Sequence, residues 1–148
     1  MVSHGVKLLV FYLQKKLKMI KLVDCSENYW EFIRLLRTDE RNSNWFFTQP
    51  TITVEQQTEF MLKNSEKYKV CTLDNNPVGY IGLIGDNEIT YCVSPDFKGK
   101  GVGTFMVNEF IQLHDELIAY VIPQNIASCK VFEKLNFEKQ IFYKYKKK

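Results

Sequence analysis

Histidine is nearly missing from this chain: only His4 and His114 occur in 148 residues. The four cysteines, Cys25, Cys71, Cys92 and Cys129, lie far apart and form no CxxC pair. No zinc-ligand spacing can therefore be assembled, and no metal is expected. A cysteine nucleophile is disfavoured for the same reason, because no histidine accompanies Cys92 or Cys129 in a motif. Free cysteines of this kind read as small buried hydrophobes in a reducing compartment, which points to the cytoplasm. The chain also lacks the roughly 18–20 uninterrupted apolar residues of a membrane helix. Charge of one sign is not in excess: the formal net charge is +3, with the basic residues scattered except in the terminal KYKKK, which reads as a solvated end. The basic stripe of a nucleic-acid-binding surface is absent. Neither a nucleic acid nor a membrane is expected as a partner, and no internal repeat or low-complexity linker is present.

What the chain does have is 45% hydrophobic and 14% aromatic residues, enough for one domain with a core. Residues 1–18 stand apart from it. LLVFYL is too short for a secretory apolar region, and QKKLKM follows where small cleavage-site residues belong. Val6, Val10, Leu13 and Leu17 fall at helical spacing, so an added helix, an added strand and a loose leader all remain open. The domain proper is expected over residues 19–148.

From Met19 the elements alternate. MIKLVD (19–24) reads as a strand, and Ser26 as the cap of a helix with a Tyr29, Phe32, Ile33 and Leu36 stripe. A polar loop (38–50) carrying Trp45, Phe46 and Phe47 follows, and then a helix whose Thr53 and Gln56 form a capping box. YKVCTLD (68–74), VGYIGLIG (78–85) and EITYCV (88–93), joined by turn-length links, predict an antiparallel meander. After a glycine-rich stretch comes a helix with Val102, Phe105, Met106, Phe110 and Leu113 inward. LIAYVIP (117–123) reads as a strand buried on both faces. A helix capped by Asn125 follows, and FEKQIFYKY (137–145) reads as a last alternating strand. The fold class is α+β with a central mixed sheet.

The stretch SPDFKGKGVGTFM (94–106) holds three of the seven glycines, Gly99, Gly101 and Gly103. A strand, a glycine-rich turn and a helix start point several backbone N–H groups along the positive end of a helix dipole, which makes an anion site without side chains. Glycines let a pyrophosphate lie against the main chain, and Lys98 and Lys100 add charge. The spacing is not GxxxxGK[ST]. Nor is it GxGxxG in a βαβ unit, since the preceding strand closes a meander.

Lys98-x-x-Gly101-x-Gly103 resembles the acyl-CoA pyrophosphate loop of the GNAT (Gcn5-related) N-acetyltransferases, whose pattern is Q/R-x-x-G-x-G/A. EITYCVSPDFKGKG also resembles that family's strand, V-x-P step and loop. NIASCKVFEKLNF (125–137) resembles its N-x-x-[AS] motif on a helix that ends in L-G-F. The similarity runs from Met19 to Lys146. It implies a mostly antiparallel sheet with one splayed parallel strand pair and helices on both faces. It further implies acetyl-CoA as cosubstrate and transfer of its acetyl group to an amine, so an acyl-CoA-dependent N-acyltransferase, monomeric or a homodimer. EITYCV and LIAYVIP would be the splayed pair, with the backbone of Tyr91, Cys92 and Val93 bonding the pantetheine arm. Gly99, Lys100, Gly101, Val102, Gly103 and Thr104, with Lys98, would hold the pyrophosphate. Asn125 and Ser128 would face the arm, act as plain helix caps, or do both.

Two departures from the family pattern stand out. Asn136 replaces the glycine at the helix end, a mild change because Asn also tolerates the left-handed position. Phe132 occupies the place where many members carry a tyrosine that protonates the departing thiolate. A thiol of pKa ~8.5 leaves readily at neutral pH, so a missing acid need not abolish activity. For the base, a lysine-like amine costs about 4–5 kcal/mol to deprotonate at pH 7. Glu88 matches a glutamate used by some relatives, or is a solvated charge after a turn. The acceptor is expected to meet the loop over 37–47: Trp45 and Phe47 stack on it or, the reading favoured for Phe46 and Phe47, the aromatics simply close the core, while Arg37 and Arg41 meet a phosphate or are surface charges. A small amine is expected there, an amino sugar or nucleotide sugar first. The alternatives are a protein N-terminus as in the ribosomal-protein branch, a non-catalytic CoA-binding protein, and an interaction module whose glycine turn is merely flexible.

Overall fold

The computed structural model describes residues 3–8, 19–42, 45–46 and 51–148. Four strands form one antiparallel sheet in chain order: β1 (Ile20–Asp24), β2 (Tyr68–Leu73), β3 (Asn76–Ile84) and β4 (Glu88–Val93). The tightest link is Asp74–Asn75 between β2 and β3. Both residues have positive φ, 52° and 65°, the conformation a two-residue hairpin turn demands and Asp and Asn tolerate. The predicted meander is therefore present with nearly the expected bounds.

Helices cover both faces. On one side α1 (Trp30–Thr38) and α2 (Val54–Asn64) bury Ile33, Leu36 and Met61 against Tyr68, Val70, Tyr80 and Cys92. On the other, α3 (Val102–Ile111) places Val102, Met106, Val107 and Phe110, with Phe132 of α4 (Ile126–Lys134), against Cys71, Ile81, Leu83 and Ile89. Burial of each such side chain stabilises by roughly 1.5–3 kcal/mol. The capping box at α2 forms as the sequence predicts: the Gln56 N–H donates to Thr53 Oγ1 (3.1 Å) and the Thr53 N–H to Gln56 Oε1 (2.9 Å). Asn125 caps α4 by accepting from the Ser128 N–H at 3.2 Å, and Asn136 takes the left-handed conformation, φ 62°, just beyond it. Ser26 forms no side-chain cap; a short 3₁₀ turn, Glu27–Tyr29, leads into α1 instead.

Two expected strands do not form. LIAYVIP meets β4 at a single parallel bridge, Glu88 with Ile118, closed by the Ile89 N–H to the Ile118 carbonyl (2.8 Å) and the Ile118 N–H to the Asn87 carbonyl (3.0 Å). Residues 137–148 carry no strand, and Ile141, Phe142, Tyr143 and Tyr145 are exposed. An alternating pattern says which side chains share a face; a strand also needs a free partner edge, which the local sequence does not supply. Of the stripe expected in the leader, Val6 lies in a helical turn over residues 4–8, while Val10, Leu13 and Leu17 fall outside the described residues. Phe47 also falls outside them.

Candidate active site

The single bridge between β4 and residue 118 leaves an opening. Backbone groups alternate sides along a strand. The Ile89 N–H points to the outer edge of β4, so those of Tyr91 and Val93 do too. Beyond Ile89 the neighbouring segment diverges, and these edge groups face a cavity of about 690 Å³. Its walls are β4, the glycine loop, residues 119–122 and the start of α4. Cys92 differs from its neighbours. Its backbone lies in the ladder opposite Tyr80, and its buried side chain packs toward α1 and α2. Burial pushes its thiol up to about 12, so it stays protonated and is no nucleophile.

The loop supplies the other end of the cavity. Gly99 and Gly101 have φ of 74° and 81°, a region that L side chains rarely occupy. Nothing lies within 4 Å of where a Cβ on either would sit. Gly101 is the N-cap of α3, so the first-turn N–H groups, which lack intrahelical partners, face this open cradle. Gly103 has a different reason for being glycine: a Cβ there would stand 3.3 Å from the Tyr91 ring and 3.6 Å from Val93. Its bareness lets α3 approach β4. Val102 anchors the helix in the core at 3% exposure, and Thr104 lines the cavity.

Lys98 lines the cavity; Lys100 does not, and places its ammonium 5.3 Å from the centre of the Phe97 ring. Glu88, Trp45, Asn125 and Ser128 all line it. Arg41 does not. It is tied to Asp39 at 2.7 Å and Asp96 at 3.3 Å, and these pairs fasten the loop after α1 to the start of the glycine stretch. Arg37 and Asn42 reach the cavity instead. Asn42, wholly buried, donates from Nδ2 to the Leu36 carbonyl at 3.0 Å. Nothing in the polar string RNSN marks Asn42 as a buried residue.

Tyr91 is the phenol of the cavity wall with a partner. Its Oη lies 2.7 Å from Ser128 Oγ, and its ring packs edge-on against Phe132 at 6.0 Å. Burial holds its pKa above the ordinary tyrosine value, opposed by the Ser128 hydrogen bond, so it keeps its proton at neutral pH. A slot with strand-edge amides at one side and a glycine cradle at its end suits a long ligand with an anionic head.

The family model of the acetyltransferase (GNAT) family matches residues 30–137, most of the chain. The chain belongs to this family. As a GNAT protein it is 25% identical over 85 residues to peptidyl-lysine N-acetyltransferase YjaB of Salmonella typhimurium, a match covering 57% of this chain and 59% of that protein. The GNAT fold is equally plain in solved structures. Spermidine N-acetyltransferase from Vibrio cholerae, in complex with CoA and spermine, aligns with a TM-score of 0.73 at 18% identity, covering 83% of each chain. Salmonella typhimurium yncA, with its cofactor acetyl-CoA, aligns with a TM-score of 0.71 at 14% identity, covering 81% of this chain and 80% of that one. In this GNAT domain the expected splayed pair reduces to one bridge and a diverging segment.

Proposed function

We propose that the protein transfers the acetyl group of acetyl-CoA to a primary amine of a small molecule, an amino sugar or nucleotide sugar first, by direct attack of the amine. The observation that carries this reading is the continuous slot from the Tyr91 and Val93 strand edge to the Gly99–Gly101 cradle. In it, N–H groups of the loop and the first turn of α3 bind the pyrophosphate, with Lys98 beside them. The edge amides of Tyr91 and Val93 bond the pantetheine, and Asn125 and Ser128 close the wall while capping α4. Glu88, beside the bridge where the slot opens, accepts the amine proton through water. The amine forms a bond to the acyl carbon, the carbon–sulfur bond breaks, and the thiolate takes a proton. Phe132 has none to give, and Tyr91, held by Ser128, takes that role. No helix among the described residues is long and apolar enough to cross a membrane. We place the protein in the cytoplasm on the free cysteines.

Calorimetry with acetyl-CoA tests the reading, with a thermal shift beside it. A ligand at 100 times its Kd stabilises the native state by about 2.7 kcal/mol, several degrees in a domain of this size. Binding followed by acetyl transfer to an amine is the expected result. Binding without transfer to any amine or peptide N-terminus would replace the enzyme with a CoA-binding protein, and no binding would leave an interaction module. Tyr91→Phe is expected to lower kcat about tenfold, less than the roughly 10²–10⁴-fold usual for a general acid because a thiolate leaves readily, with acetyl-CoA affinity changed less than about twofold. An unchanged kcat would remove the acid role.

A further inference from the structure

The chain has three arginines, and two of them are satisfied. Arg34 holds Glu31 at 2.7 Å and the Ile52 carbonyl at 3.0 Å, and Arg41 holds Asp39 and Asp96. Arg37 is not. Its Nε is buried with no hydrogen-bond partner, and no ion pair ties it among the described residues. Its guanidinium stands over the Phe46 ring, 5.1 Å from the centroid, a cation–π contact.

Arg37 also stands at a junction. It lines the slot beside β4, and it lines a second cavity of about 500 Å³ between α1 and α2, floored by Tyr68 and Tyr80. One further buried polar atom of these walls has no hydrogen-bond partner among the described residues, Oδ1 of Asn42, a residue that lines the slot. Buried polar groups left without partners are uncommon, and each asks for one. Here a cation and a residue with an unused acceptor oxygen stand together in the wall of the slot formed by α1 and the loop after it. A flat guanidinium with free donors matches a carboxylate or phosphate, by two parallel N–H···O bonds.

We propose that Arg37 is the anion receptor of the acceptor site, and that the acceptor is a primary amine that also carries a carboxylate or a phosphate. The amine half of this statement rests on the acetyltransferase reading; the anion half does not. The same unpaired cation disfavours polyamines and other acceptors of purely positive charge, through like-charge repulsion in a partly desolvated site.

The test titrates the full chain by calorimetry with matched acceptors: alanine against alaninamide for the carboxylate, glucosamine 6-phosphate against glucosamine for the phosphate, and spermidine as the cation. In the wild type at least one anionic member is expected to bind about 10- to 100-fold tighter than its uncharged-group partner, the range of a charge-assisted hydrogen bond. Arg37→Gln is expected to erase that ratio while leaving acetyl-CoA affinity within about twofold. Arg37→Lys, which keeps charge and stem but not the fork, is expected to keep part of it, and it carries the test if Arg37→Gln does not fold. The pair that shows the ratio tells carboxylate from phosphate. The proposal is overturned if spermidine or the members without an anion bind as tightly as the anionic ones, if no anionic member binds, or if the variants keep the wild-type ratio. It is also overturned if Arg37→Gln loses acetyl-CoA instead, because Arg37 would then serve the cosubstrate. Failure of the wild type to bind acetyl-CoA would remove the acetyltransferase reading alone, since the acceptor titrations need no turnover.

Discussion

Gly101→Ala is expected to weaken acetyl-CoA binding at least about tenfold while costing little stability. Gly101 has φ 81° and caps α3, and an L side chain in that region costs roughly 1–2 kcal/mol. For a domain of this length that lowers Tm by about 2–8 °C. The space around the new Cβ holds no protein atom within 4 Å, so the fold has nothing to rearrange. What the methyl group occupies is the approach to the main-chain N–H groups, where a pyrophosphate oxygen must come to hydrogen-bond distance. Gly85→Ala is the matched control. Gly85 has φ 64° and the same empty surroundings, but it lies in the β3–β4 turn and does not line the slot. The two variants should lose similar stability and differ in calorimetric affinity for acetyl-CoA. Equal affinity in both would separate the glycine loop from the cosubstrate. Gly101→Val carries the same change further, with added strain from its branched side chain.

Raising the pH from 8 to 10 is expected to destabilise the protein by several kcal/mol. Burial pushes the thiols of Cys25 up to about 11 and of Cys71 and Cys92 up to about 12, each from an ordinary value of 9.0. The native state therefore keeps three protons that the unfolded chain releases above pH 9. Stability falls with pH wherever the native state binds more protons. The stabilisation is fully present below pH 9 and is lost as the pH rises toward 11–12. At pH 10 each thiol costs about 1.4 kcal/mol, so the three together cost on the order of 4 kcal/mol, a large share of a typical 5–15 kcal/mol. Burial of the Tyr80 phenol acts in the same direction at still higher pH. Urea midpoints at pH 8 and pH 10, in the presence of a reductant, measure the change. An unmoved midpoint would mean that these thiols ionise as readily folded as unfolded. Cys71→Ala should reduce the pH dependence by about one third, whatever it does to packing.

Much of this was legible in the residues because it is decided locally. The alternation in YKVCTLD, VGYIGLIG and EITYCV, with turn residues between them, specifies three strands and their antiparallel order. Thr53 and Gln56 specify a helix start through two hydrogen bonds three residues apart. Gly99 and Gly101 announce positive φ because few other residues adopt it at low cost. The order of these pieces carried the family resemblance with it.

The tertiary structure decided matters that turn on which distant group arrives where. Residues 117–123 have a strand's composition, yet they touch β4 once and diverge, because pairing depends on a partner edge elsewhere in the chain. Residues 137–145 alternate as a strand would and form no strand with any described residue. Gly103 looks like a third member of the phosphate cradle, but what its missing Cβ makes room for is the Tyr91 ring, contributed from a neighbouring strand. Arg37 and Arg41 are indistinguishable in the string RLLRTDER. Asp96, fifty-five residues downstream, helps hold Arg41 away from the slot, while the fold leaves Arg37 lining two cavities with no ion pair among the described residues. By itself the sequence determined the meander, the helices and the glycine loop, since backbone conformation and capping act over a few residues. Which side chains face the acceptor was decided only in the folded molecule, because ion pairing and burial are settled between residues far apart in the chain.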